Sequence, residues 1–241
     1  MTVRSVVRTF SEICITLGTL IVLFVAYLLL WTGVRADSAM DGEIGRLQDR
    51  WAAKPFASGD GRHGPGRPGT ARGDLPGRPG PQPPYKDGRA FAVMYIPRFG
   101  ANWSKPVLEG TGSEVLKRGL GHYRGTARLG ELGNFSVAGH RRTYGDPFKD
   151  VPELRPEDAV VLTDGTWWFT YRVDRKPYTT LPTDVGVIDP VPRKSGYTGP
   201  GRYLTLTTCE PEWGHSHRLI VWAHLDSTRP VERGRPAALG R

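Results

Sequence analysis

Cysteine is scarce in this chain, with 2 in 241 residues, Cys14 and Cys209. Cys14 lies inside an apolar run and reads as a small packing residue, which leaves Cys209 without a partner. A disulfide framework is therefore excluded from the remainder, and an odd thiol in an exported protein points to intermolecular pairing or to a reactive group. Nucleic-acid signatures are also missing. There is no zinc-finger spacing, RNA-binding motif or basic helix, so the formal net charge of +9, from 33 Lys+Arg against 24 Asp+Glu, speaks for anionic surroundings such as membrane lipid or wall polymer. Helical periodicity is weak beyond the N-terminal region. Only "SEVLKRGLGHY" and "DPFKDVPEL" read as short helices or turns, which leaves β-structure to carry the fold.

One long uncharged run stands out against these absences. "ICITLGTLIVLFVAYLLLW", residues 13–31, is about 28 Å long as a helix, close to the ~30 Å hydrocarbon thickness of a bilayer. Ala36 and Ser38 offer only a weak cleavage site, so an uncleaved anchor is expected. Arg4 and Arg8 precede the run, while Arg35 and Asp37 follow it, which places residues 1–12 in the cytoplasm and exports the rest.

Residues 32–88 read as a juxtamembrane segment and linker. "DGEIGRLQDRWA" suits a short amphipathic helix, after which all periodicity is lost. From Pro55 to Gly88 about half of the residues are Gly or Pro, the composition of a disordered spacer. Such a coil spans roughly 30 Å and up to ~100 Å when extended, enough to hold a folded domain off a membrane.

From Ala90 the pattern changes to short runs rich in Val, Ile, Thr and aromatics. "FAVMYIPRFG", "SKPVLEG", "NFSVAGH", "DAVVLTDG", "WWFTYRV", "DVGVI", "RYLTLTTC" and "HRLIVWAHL" are expected strands, and Asp164-Gly165 is an expected hairpin turn. That many strands at this spacing argues for a barrel or sandwich. The folded domain is placed at residues 89–228, and residues 229–241 read as a frayed basic tail.

Strand alternation groups three polar residues. Leu204 and Leu206 set the apolar parity of one strand, so Cys209 faces the opposite way with Thr205 and Thr207. Leu219, Val221 and Ala223 put Arg218 outside in the next strand, and Phe135 and Val137 do the same for His140. An antiparallel pairing through "EPEWGHSH" brings Cys209 near Arg218. The attacking species of a cysteine is the thiolate, an imidazole can protonate a leaving amine, and a guanidinium can bind an oxyanion. Cys, His and Arg therefore suffice for acyl transfer, although a lone cysteine is more often a buried small hydrophobe. His215 and His217 with Cys209 lack the full ligand set of a structural zinc site. His122 and His224 read as surface or packing residues. Asn102-Trp103-Ser104 matches a glycosylation acceptor, a pattern short enough to arise by chance.

"TLTTC" followed by "HRLIVWAHL", with "NFSVAGHR" upstream, resembles the signature of sortases, the membrane-anchored cysteine transpeptidases of Gram-positive bacteria. The likeness covers roughly residues 89–227 and implies an eight-stranded sortase-type β-barrel with short helices. By resemblance Cys209 is the nucleophile, His140 the general acid/base, and Arg218 the substrate-positioning and oxyanion-stabilising residue, with Thr208 assisting substrate binding. "GLGHYRGTARLGELGNFSVAGHR" together with the Pro/Gly spacer is most similar to class E, the housekeeping actinobacterial type. That class implies a Leu-Ala-x-Thr-Gly sorting signal in place of Leu-Pro-x-Thr-Gly, and a substrate-groove tyrosine matching Tyr123. The expected partners are secreted proteins carrying that signal and a peptidoglycan-precursor amine. Acidic residues that bind calcium in some class A members have no match, so no metal and no cofactor are expected. Two other readings stay open: a cell-wall cysteine peptidase of another kind, and a non-catalytic β-domain that binds wall polymer.

Overall fold

Short β-branched and aromatic runs that alternate in polarity close into a barrel with the apolar parity inside. The computed structural model describes residues 3–53 and 84–240, and the Pro/Gly-rich stretch read as a linker falls almost wholly outside them. The strands are β1 (Ala90–Tyr95), β2 (Ser104–Glu109), β3 (Leu120–His122), β4 (Gly133–Ala138), β5 (Ala159–Thr163), β6 (Trp167–Val173), β7 (Tyr178–Thr180), β8 (Arg202–Glu210) and β9 (His217–Pro230). They are ordered β6-β5-β1-β2-β3-β4-β8-β9, and β9 pairs back onto β6, so eight strands close the barrel. The β2–β3 and β4–β8 pairs are parallel, and the other pairs are antiparallel.

The long β9 makes closure possible. Its first part pairs with β8, while Ala223 to Pro230 pair with β6. Short β7 adds outside the barrel, pairing Tyr178–Thr180 with Ile220–Arg218. The interior is filled by Met94, Val107, Leu120, Phe135, Val137, Leu162, Phe169, Leu204, Leu206 and Val221, among others. Phe135 is 1% exposed and lies under the ring of buried His122, with centroids 4.7 Å apart. Phe135→Ala is expected to cost about 3–5 kcal/mol, read as a lower urea midpoint at unchanged slope.

Three expectations are corrected. "DVGVI" is a 3-10 turn, Val185–Ile188, because Asp184 takes the Thr180 hydroxyl and the Lys194 ammonium, and Pro190 and Pro192 follow at once. "SEVLKRGLGHY" divides into a one-turn helix, Ser113–Leu116, and strand β3. The C-terminal tail is ordered through residue 240. Strand β6 gives β9 a partner as far as Pro230, Val231 N–H then donates to Thr166 O at 2.9 Å, and Pro236 is buried.

The juxtamembrane segment also differs from its expected form. A single helix, α1, runs Val3–Ala52 without a break. At 1.5 Å per residue it is about 75 Å long. Its window Val7–Val25 has a mean hydropathy of 1.7 and no protein covering it, so it is long and apolar enough to cross a membrane. The second half lies against the barrel. Ala36, Met40, Glu43 and Leu47 are buried and Trp51 half-buried, one stripe at helical spacing. Leu47, Ile44 and Trp51 pack with Ala90, Val93, Leu108 and Val115 on the outer faces of β1, β2 and the one-turn helix. Burial of Met40 and Leu47 contributes about 1.5–3 kcal/mol each. Polar bonds fix the register: Lys105 Nζ to Asp37 Oδ1 at 2.8 Å, Arg118 Nη1 to Glu43 Oε1 at 2.8 Å, and Arg50 Nη2 to Ala90 O at 2.8 Å.

Candidate active site

β4, β8 and β9 are successive neighbours in the barrel wall, and their ends meet at one level. Cys209 is the penultimate residue of β8 and stands opposite Arg218, the second residue of β9. On the other side Ala138 is level with Thr207, and Gly139 N–H donates to Thr207 O at 3.1 Å. Two residues beyond that pair come His140 on one side and Cys209 on the other, so the histidine follows the end of the strand next to the cysteine. Parity then points all three side chains outward, because Phe135, Val137, Leu204, Leu206, Leu219 and Val221 fill the inside.

The outer face of this wall is covered below the three residues. Thr205 and Thr207 are 0% and 4% exposed. The carbonyl of Val187 accepts from Trp222 Nε1 at 3.2 Å and from Thr205 Oγ1 at 3.3 Å, and Tyr123 OH shares a 2.9 Å hydrogen bond with Thr207 Oγ1. Cys209, His140 and Arg218 are half-buried at the edge of that cover. An extended peptide can reach them there without opening the core.

Local packing explains the Gly-His pair. A Cβ on Gly139 would meet Phe148 Cδ2 at 2.5 Å and Leu120 Cδ2 at 2.8 Å, so only glycine lets β4 end against Phe148. Thr208 Oγ1 donates to Gly139 O at 2.8 Å, and Phe148 N–H donates to His140 O at 3.0 Å. These bonds hold the strand end and close the loop 141–147. Burial pushes the His140 imidazole below its ordinary pKa. Its Nε2 is buried with no hydrogen-bond partner among the described residues, an arrangement that costs about 1–3 kcal/mol until a ligand or a neighbouring proton satisfies it.

Two arginines tie the residues after His140 to those after Cys209. Arg141 Nη1 bonds the Glu210 carboxylate and donates to Cys209 O at 3.3 Å. Arg142 bonds the Glu212 carboxylate, and its guanidinium lies 4.7 Å from the Trp213 ring centroid. Arg218 Nη1 donates to His215 O at 3.0 Å and to His217 O at 2.9 Å, which anchors it to the β8–β9 loop.

Comparison with known proteins agrees with this geometry. The family profile described as "Sortase domain" matches residues 94–226. This chain belongs to the sortase family. It is 38% identical over 239 residues to Sortase SrtE1 of Streptomyces coelicolor, covering 96% of this chain and 60% of that protein. It is 30% identical to Sortase SrtE2 of the same organism, covering 95% of this chain and 85% of that one. The structure of sortase E from Streptomyces avermitilis superposes with a TM-score of 0.61 at 75% identity, over 64% of this chain and 99% of that one. Sortase E1 from Streptomyces coelicolor, solved with a tripeptide in its active site, gives 0.60 at 41% identity, over 63% and 97%. These relatives support class E.

Of the sortase residues expected from sequence, Cys209 and Arg218 are paired across β8 and β9, and His140 follows the end of neighbouring β4. Tyr123 is half-buried, bonded to Thr207 two residues before the cysteine on the same face. Thr208 is 3% exposed and of inner parity, and its hydroxyl is occupied by Gly139 O. His122 is a packing residue, with Nδ1 2.6 Å from Glu109 Oε2 and Nε2 3.1 Å from Ala127 O. His224 meets Asp174 Oδ1 at 2.8 Å nearer the surface, and His215 and His217 are exposed on the loop. Arg141, Arg142, Glu210 and Glu212 escaped notice in the sequence. The signal was a basic pair after the histidine and alternating acids after the cysteine, complementary charges on two strand ends.

Proposed function

We propose that the chain is a membrane-anchored cysteine transpeptidase that cleaves a Leu-Ala-x-Thr-Gly or Leu-Pro-x-Thr-Gly sorting signal between Thr and Gly. It then joins the released protein to a peptidoglycan-precursor amine. The observation that carries this reading is the pairing of Cys209 with Arg218 across β8 and β9, with His140 following the end of β4, the strand on the other side of β8. The tripeptide in the site of Sortase E1 supports a peptide substrate. The apolar window Val7–Val25 supports an anchor, and Arg4 and Arg8 before it favour a cytoplasmic start with the barrel outside.

Catalysis follows from the residues. Burial keeps His140 mainly neutral near pH 7, so its free ring nitrogen accepts the thiol proton as Cys209 sulfur attacks the Thr carbonyl. The oxyanion of the tetrahedral intermediate faces Arg218. The C–N bond breaks as His140 returns the proton to the Gly amine, leaving a thioester. An acceptor amine attacks that thioester, passes its proton through His140 to the departing sulfur, and forms the new amide. Water in place of the amine gives hydrolysis. Tyr123 borders the peptide's path, while Thr208 positions the end of β4.

Mass spectrometry of a Leu-Ala-x-Thr-Gly peptide incubated with the protein, with and without an amine acceptor, tests the reading. Cleavage at Thr-Gly with transfer to the amine supports it, and a folded protein that cleaves neither the Ala nor the Pro form refutes it. Arg218→Ala is expected to lower kcat/KM by about 10²–10³-fold. Arg218→Lys should recover only part, since an ammonium cannot span the two loop carbonyls and substrate as a guanidinium fork does.

A further inference from the structure

The docked half of α1 reaches the loop that follows His140. Gly145 sits in that loop at φ +78°, and a Cβ there would stand 2.7 Å from Asp37 Oδ1 and 3.4 Å from Met40 Cε. Asp37 is itself held by Lys105 Nζ at 2.8 Å, and Met40 is fully buried. Next to Gly145, the Tyr144 ring lies 5.2 Å from the His140 ring, with Lys117 Nζ 5.7 Å from its centroid. A continuous line of contact thus runs from the helix through Gly145 and Tyr144 to the imidazole. The loop's other side is tied to the cysteine strand by Arg141 and Arg142.

We propose that residues 36–52 of α1 are a docked intramolecular element that positions His140, with Asp37 and Met40 as positioning residues acting through Gly145 and Tyr144. The docking is specific. The buried carboxylate of Glu43 is paired with Arg118 and Arg46 at 2.8 and 3.1 Å, and the stripe Ala36, Met40, Glu43, Leu47 keeps one face against the barrel over three helical turns. The proposal rests on the transpeptidase reading only for its kinetic arm.

The test uses the full chain in lipid nanodiscs and the variant Leu47→Asp, whose site lies about 15 Å along the helix from Asp37 and packs with Ala90, Val93, Leu108 and Val115. Gln48→Ala, at an exposed position of the same helix, is the control. Hydrogen exchange is followed at residues 36–52 and 141–148, together with the pH profile of Cys209 alkylation by iodoacetamide and the kinetics of peptide cleavage. In the parent chain residues 36–52 should be protected. In Leu47→Asp, faster exchange should appear both there and at 141–148, the alkylation profile should shift, and kcat should fall about tenfold with KM within about twofold, as expected of a misplaced catalytic group. Where Leu47→Asp leaves 36–52 protected, the double variant Met40→Asp/Leu47→Asp replaces it. Free exchange of 36–52 in the parent chain would overturn the proposal, as would an undocked helix with the loop and the alkylation profile unchanged. A parent chain that alkylates normally but cleaves no peptide counts against the transpeptidase reading alone, and exchange and alkylation still decide the positioning.

Discussion

Cys209→Ala in the full chain is expected to abolish peptide cleavage, a loss on the order of 10⁴-fold or more, because no other group can form the thioester. The second thiol, Cys14, is exposed on the apolar half of α1, outside the barrel. The change should leave folding nearly intact. Cys209 is only half-buried, and its backbone remains in the β8–β9 ladder opposite Arg218. Two measurements check it together: intact mass after mixing with peptide, where the parent gains the acyl group and the variant does not, and the unfolding free energy from urea titration, where the two should agree within about 1 kcal/mol. Cleavage that persists in the folded variant would remove Cys209 from the mechanism.

His140→Ala is expected to cost about 10²–10⁴-fold in kcat/KM, the usual range for a positioned acid–base group. The pH dependence carries more information than the magnitude. Burial lowers the His140 pKa, so the base form persists to lower pH and the acid limb of kcat/KM in the parent should lie below about 6.5, the ordinary imidazole value. An acid limb above that value would contradict the proposed role. The same shift predicts a stability effect of determined sign. Above the unfolded-state pKa both states hold a neutral ring and no difference arises. As pH falls through that value the unfolded chain binds the proton first, so stability declines until the folded pKa is passed and stays reduced below it. Urea midpoints at pH 7.5 and 5 should therefore separate more in the parent than in His140→Ala.

Much of the site was legible because a strand has a period of two. Leu204 and Leu206 in β8, Leu219 and Val221 in β9, and Phe135 and Val137 in β4 mark the inner face by composition alone, which assigns Cys209, Arg218 and His140 to the outer one. The cross-strand pairing of Cys209 and Arg218 followed from a short connection between adjacent strands. Elements shorter than their own periodicity were not legible. Strands β3 and β7 have three residues each, too few to show alternation, and the turn at Val185–Ile188 has a strand-like composition but no ladder partner. The C-terminal tail has a coil-like composition, yet it is ordered because β6 presents unpaired backbone groups to it. Residues 41–52 are legible as an amphipathic helix, but nothing in their spacing names the face they cover, and the earlier part of the stripe, Ala36 and Met40, is visible only in the structure.

From the sequence alone came the apolar run long enough to cross a bilayer, the strand-rich domain, and the outward parity of a cysteine, a histidine and an arginine, each set by neighbours a few residues away. The tertiary structure alone decided that β4 lies parallel to β8, roughly seventy residues further on, and that α1 packs beside the loop of His140. The reason is physical. Inter-strand hydrogen bonds are chemically identical along every strand, so local composition cannot choose a partner or a register. Closure of the whole barrel makes that choice, when each buried side chain and each edge must be satisfied together.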